Sequence, residues 1–232
     1  MATETPRPTE THQPLHLPLL ISHATQNIPT TMAAPTLDLE LPPFNPELTS
    51  PLRQADCTGA SFAIYSMVDS MSTKRLTEIA TIPQEEWESY DMDTPLIKPG
   101  VPSANFGGRA LRDVVAAHIA MDKELAPREG GASAAGWWPH VFVVVTSEDI
   151  EDHGLLLVYG VGPLSDPDEP RDGGEEVEEP TMGKFFFKSR SLCDILSGIA
   201  LSGDDLDYLH ETHDMDREKF DDSDEEEDED VE

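Results

Sequence analysis

The stretch "HETH" places His210 and His213 three residues apart, on one helix face, with Asp207, Glu211 and Asp214 close by. Two imidazoles at that spacing beside a carboxylate suit Zn or Ni. A solvated helix end running into an acidic tail is the commoner arrangement, and "HETH" lacks the fifth residue of the HExxH zincin pattern. No bound metal is therefore expected; His210 and His213 are the candidate ligands if there is one.

Other residues offer different chemistry. His118 falls within an apolar helical stripe, where a core or sheet-edge histidine with a backbone partner is expected. His140 and His153 flank two apolar runs whose connecting turn carries Asp149, Glu151 and Asp152. An acid–base pair could be assembled from them, although turns are polar for reasons of solvation alone. Cys193 begins a helix, where the dipole can lower a thiol pKa. Burial as a small apolar residue is its usual fate. "SANFGGRA" sets Gly107 and Gly108 before a helix with Arg109 and Arg112 in its first turns, an arrangement able to seat an anion. It has neither GxGxxG nor a Walker lysine, so a helix-capping loop is favoured. "GWWP", with Trp137 and Trp138, reads as an aromatic roof over a small core or as a platform for a partner. No catalytic residue is assigned, and no cofactor is expected.

The elements that must position these residues are legible in outline. "ASFAIYSMV", residues 60–68, suits a strand through Phe62, Ile64, Tyr65 and Val68. "SMSTKRLTEIATI" and "PQEEWESYD" read as short helices, the second with Pro83 in its first turn and Trp87 pointing inward. "DTPLIKPGVPSANFGG", residues 93–108, reads as a loop because its three prolines and two terminal glycines break any period. The clearest helix spans 108–125, with Leu111, Val114, Val115, His118 and Ile119 at i, i+3, i+4, i+7 and i+8. "VFVVV" and "GLLLVYGV" are apolar enough for strands covered on both faces, and the short acidic turn between them favours antiparallel pairing. "GKFFFKSR" supplies another strand, and "SLCDILSGIAL" a helix with Leu192, Ile195 and Ile199 on one face. "SGDDLDYLHETH" starts a last helix, with Ser202 as its expected N-cap.

These elements give an α+β single domain, residues 57–213, with a small mixed or antiparallel sheet of three to five strands packed by helices. A proline-rich arm, residues 1–56, precedes it and holds half of the twenty prolines. That arm is expected to be mostly extended or disordered, although "HLPLLIS" could form one short edge strand, where Pro18 near its start is tolerable. "MAAPT" reads as an ordinary N-terminus, so translation starting at Met32 instead of Met1 is an alternative.

The 232 residues carry 15 Lys and Arg against 47 Asp and Glu, a formal net charge of -32. Residues 204–232 hold 17 acids against Arg217 and Lys219, and residues 165–180 hold eight against Arg171. Both runs repel themselves and lack apolar surface, so the loop 165–180 and the tail 214–232 are expected to be disordered. Such a balance argues against direct nucleic-acid binding, which needs a basic patch, and against an anionic membrane surface. The tail instead either solubilises the chain or captures a basic protein. Ser223, followed by Asp224 and three glutamates, sits in the acidic surroundings that acidophilic kinases favour. Cys57 and Cys193 are the two cysteines, with no CxxC spacing, which fits a reducing cytoplasmic or nuclear compartment. No secretory signal is recognised in residues 1–22.

"HVFVVVTSEDIEDHGLLLVYGVG" followed by "GKFFFKSRSLCDILSGIALSGDDLDYL" resembles the second half of a small α+β domain family of bacteria and fungi. That family has a strand, an acidic turn, a strand of the "LLVVDL" type, then a strand and helix ending in a "NLSIANMDFEEF"-like run. "ILSGIALSGDDLDYL" is similar to that run, although Gly198 and Gly203 break the spacing and the usual Asn is absent. The resemblance covers residues 107–212; it implies a fold and carries no catalytic residue over. A non-enzymatic binding or regulatory module is the expected function. The alternative is a small enzyme or metal-binding domain using histidines beside carboxylates.

Overall fold

Residue type and spacing set the strands first. The computed structural model describes residues 37–49, 56–123, 135–161 and 179–215. Within them β1 (Ser61–Ser66) is buried at all six positions and pairs in parallel with β2 (Ile97–Pro99) on one side and with β3 (Trp137–Val145) on the other. The chain then turns through α4 (Ile150–His153), a single helical turn capped by the Asp149 carboxylate, into β4 (Leu155–Val161). As the short connection requires, β3 and β4 are antiparallel, and β5 (Thr181–Phe187) continues antiparallel on β4. The sheet is mixed, ordered β2-β1-β3-β4-β5.

Both faces of this sheet are covered, which is why its central strands are near-continuously apolar. On one face Phe62, Ile64, Val143, Leu157 and Phe187 pack against α1 (Thr73–Ala80), α2 (Gln84–Glu88) and α5 (Leu192–Ser197). Trp87 is buried there, and its indole N–H donates to the Thr94 carbonyl at 2.8 Å. On the other, Ala63, Tyr65, Phe142, Val144, Leu156 and Val158 meet Leu111, Val114 and Val115 of α3 (Leu111–Ala120). Each buried Val, Leu, Ile or Phe contributes about 1.5–3 kcal/mol. The two alternating sets together account for the strand periodicity of two.

Four elements differ from expectation. Residues 93–108 contain β2, because Leu96 and Ile97 are buried beside Phe62 and the Phe62 N–H donates to the Leu96 carbonyl at 2.8 Å. Its proline, Pro99, is harmless at a sheet edge, where no partner needs the missing donor. The helix placed at 108–125 is α3 alone. Gly108, at φ +69, cannot belong to it, and beyond Ala120 the Lys123 ammonium folds back onto the carbonyls of His118, Ile119 and Met121. The last helix, α6 (Leu206–His213), is capped by Asp205 and not by Ser202, which lies in a π-turn (Gly198–Ser202) closed by left-handed Gly203. Finally, packing begins ahead of residue 57: Leu37, Leu39 and Leu41 lie on the second face, Leu48 is fully buried, and the Leu111 N–H donates to the Asp38 carbonyl at 2.8 Å. "HLPLLIS" at 16–22, most of the acidic loop and residues 216–232 lie outside the described residues.

Candidate functional site

The connections of β1 diverge, and the divergence opens a crevice. From β1 the chain passes through α1 and α2, on the first face, to β2; from β2 it returns through α3, on the second face, to β3 on the other side of β1. Such a reversal of strand order is where ligands settle in open α/β sheets, outside the carboxyl ends of the strands. Here Met67, Val68 and Asp69, just after β1, and Thr146 and Ser147, just after β3, share a crevice of about 620 Å³ with residues 108–110, Arg112 and Asp113 and with Leu37 and Asp38.

The N-terminus of α3 borders this crevice, but its own residues occupy it. The Asp113 carboxylate accepts the Ala110 N–H at 3.3 Å, and Leu111 donates to Asp38. Arg112, one of the two arginines that an anion seat would use, is paired with Asp38 at 3.4 Å. Arg109 differs: its guanidinium lies over the Phe106 ring, 5.6 Å from the centroid, with no ion pair among the described residues. "FGG" is also more than a capping loop. A Cβ on Gly107 would come within 2.4 Å of Oδ1 and 2.5 Å of Cα of Asp69, so only glycine lets the loop lie against that aspartate.

His118 is a core residue. Its Nε2 is 3.0 Å from the Pro139 carbonyl and its Nδ1 3.0 Å from the Tyr65 hydroxyl. Burial, reinforced by the Lys123 ammonium, pushes its pKa down to about 3. His140 is likewise pushed down by burial, to about 4, and its Nδ1 is buried without a partner, as is Nε1 of neighbouring Trp138. Among the described residues no carboxylate is paired with either ring. Nor does His153 join them: it sits beyond the far end of β3, its Nδ1 3.3 Å from the Asp149 carbonyl within its own turn.

The "WWPH" stretch is a bulge. Between Ser61 and Ala63 of β1 the register on β3 runs from Trp137 to Phe142, and Pro139, lacking an N–H, sits in the excess. Trp138 stacks on Phe62 with centroids 5.0 Å apart, and the Lys98 ammonium lies 4.2 Å from the Trp137 centroid. Both tryptophans are half-buried, in the manner of a roof.

On α6, His210 meets residues of β4 and β5 and the end of its own helix. Its ring is stacked on Phe185 (5.0 Å, 9°), its Nδ1 is 3.4 Å from the Tyr159 hydroxyl, and its Nε2 is 3.3 Å from the Asp214 carboxylate. Burial, with Asp207, Asp205 and Asp214 near by, pushes the Tyr159 phenol up to about 12. A shallow cleft of about 350 Å³ opens between Asp207, His210, Glu211 and Asp214. His213 takes no part, and among the described residues no group of three or more His, Cys, Asp or Glu is arranged to hold a metal ion. Cys193 is buried, the fate expected for it, and burial together with the Glu86 and Asp194 charges pushes its thiol up to about 12, against any help from the helix dipole. A helix of six residues offers little dipole against that desolvation.

The chain matches no family model, no curated protein and no solved structure. Among the described residues no helix is long and apolar enough to cross a membrane. Sequence reasoning missed Asp69, Tyr65 and Tyr159 as site or network members. Only Asp69 carried a usable signal, as the first polar residue after an apolar strand, facing a Gly-Gly pair that must be close to something.

Proposed function

We propose that this chain is a non-catalytic binding module that engages a basic protein through α6 and the acidic sequence following it. The observation that carries the reading is the one-sided charge of α6 and its approach. Asp204, Asp205, Asp207, Glu211 and Asp214 fall within residues 204–215, which contain no Lys or Arg. Of these, Asp205, Asp207 and Glu211 are exposed, beside Tyr208 at 59% and Leu201 at 49% exposure. Acids around an exposed aromatic complement a lysine- or arginine-rich segment, the charges steering encounter and the ring adding contact area.

The enzymatic alternative finds its best support in the row Tyr159, His210, Asp214. It is weaker because a phenol pushed up to about 12 is neither base nor nucleophile near neutral pH, and because both ring nitrogens of His210 face internal partners. The resemblance of residues 107–212 to a fold without assigned chemistry adds no residue to either reading.

Titration of a lysine-rich peptide into the full chain, a chain ending at Met215 and the full-length triple variant Asp205→Asn, Asp207→Asn, Glu211→Gln tests the reading. Binding should weaken steeply between low and moderate salt and weaken in both altered chains. Equal affinity for all three, or affinity indifferent to salt, refutes it.

A further inference from the structure

The crevice at the carboxyl ends of β1 and β3 holds two opposite charges that the fold itself does not use. Asp69 has no hydrogen-bond or ion-pair partner among the described residues, and Gly107 and Gly108 pack against it so closely that its position is fixed by backbone contact. The Arg109 guanidinium rests on Phe106 and pairs with no carboxylate there. Every other charge lining the crevice is engaged: Arg112 with Asp38, Asp113 with the Ala110 N–H. The same crevice is lined by Leu37, Met67, Val68 and Ala110, which are apolar, and by Thr146 and Ser147.

We infer that this crevice binds a small zwitterion with an aliphatic body, an amino acid or short peptide, its ammonium on Asp69 and its carboxylate on Arg109. A carboxylate accepts from an ammonium and a guanidinium donates two parallel bonds to a carboxylate, so a ligand carrying both ions satisfies the pair at once. The cavity volume of about 620 Å³ lies within the range of small-molecule sites, roughly 300–1,000 Å³. The position agrees with the switch-point rule, and the two residues that carry the charges follow β1 and precede the Ala110 N-cap of α3, with Gly107 packed against Asp69. Nothing in this inference depends on α6.

Backbone-amide NMR of the full chain tests it, with L-leucine, L-methionine and the dipeptide Leu-Leu as probes. Saturable shifts at Val68, Gly108 and Ser147 are expected below about 10 mM, the weak end of specific binding. 4-Methylpentanoate, which lacks the ammonium, and isoamylamine, which lacks the carboxylate, should each bind at least about ten-fold more weakly, since each leaves one charge-assisted contact unmade. Asp69→Asn and Arg109→Gln, both at exposed side chains, should abolish the shifts while leaving the melting temperature in place; the α6 triple variant should bind as the parent does. The inference is overturned if none of the three zwitterions gives saturable shifts, if binding survives both substitutions, or if inorganic phosphate alone produces the shifts through Arg109.

Discussion

The Tyr65 hydroxyl lies 3.0 Å from Nδ1 of His118, and this pair fastens α3 to β1. Because the Pro139 carbonyl can only accept, Nε2 of His118 must carry the ring proton, which leaves Nδ1 to accept from the tyrosine. Both groups are fully buried, and burial holds both neutral, raising the phenol and lowering the imidazole. Tyr65→Phe would leave Nδ1 an acceptor without a donor, at a cost of about 1–3 kcal/mol. Chemical denaturation checks the value, and a loss under about 0.5 kcal/mol would mean that the bond contributes nothing net.

The same pair makes stability depend on pH. A histidine held at about 3 in the fold and near 6.5 when unfolded binds its proton mainly in the unfolded state between those values. Its contribution is therefore complete above about pH 6.5 and is lost as pH falls through that window toward 3. Between pH 7.5 and 5 one such group removes about 2 kcal/mol, and His140, held at about 4, acts in the same direction. Unfolding free energies at pH 7.5, 6 and 5 should fall for the parent and fall less steeply for His118→Gln, whatever its stability at pH 7.5. Parallel slopes would show that His118 does not stay neutral.

How far the fold could be read from sequence depended on whether a residue's partner was local. Val141–Val145 and Leu155–Val161 declared themselves by composition, and their short link gave the antiparallel pairing. β2 did not, because its three residues are strand only through hydrogen bonds to Phe62 and Ile64, far off in the chain. The cap of α6 was misplaced by three residues for a similar reason. Ser202 has the right chemistry, but the π-turn and Gly203 decide where the helix begins. At the sites, the core role of His118 followed from its place in the apolar stripe. The uncommitted state of Asp69 and Arg109 could not be read, since it depends on which neighbouring charges find partners first.

Val144 is buried on the second face, opposite Leu156 of β4 and Tyr65 of β1. Val144→Asp puts a carboxylate where no cation can reach it, and the penalty of several kcal/mol is comparable with the stability of a whole domain. Loss of the cooperative thermal transition is expected. A mutant melting within about two degrees of the parent, a change well under about 1 kcal/mol, would show that β3 does not lie at the centre of the sheet.

Cys193 provides a chemical readout of the first face. Its thiol is buried among Leu192, Ile195 and the sheet, and its pKa is raised to about 12, so almost none is thiolate at pH 8. Cys57, half-buried and raised to about 11, is also a poor nucleophile. A disulfide reagent added to the native chain should therefore label Cys193 only as fast as the chain opens, with a rate that rises under mild denaturant. Labelling at the rate of a free thiol in water would place Cys193 at the surface.

Ser223 lies outside the described residues, and its expected effect follows from charge. Phosphorylation there adds about -1.5 to -2 to a sequence already rich in acids. The two cores are built from residues between Leu37 and Leu209, so the melting temperature of the chain should not move when Ser223 is phosphorylated. If α6 and the sequence beyond it meet a basic partner, the added charge should act on encounter: a faster on-rate at low salt, shrinking as the Debye length falls to about 8 Å near physiological ionic strength. Stopped-flow association of a lysine-rich peptide with the phosphorylated and unphosphorylated full chain, at two salt concentrations, measures this directly. Equal on-rates at low salt would leave the tail a solubilising extension and would remove it from the proposed interface, while a changed melting temperature would tie Ser223 to the fold instead.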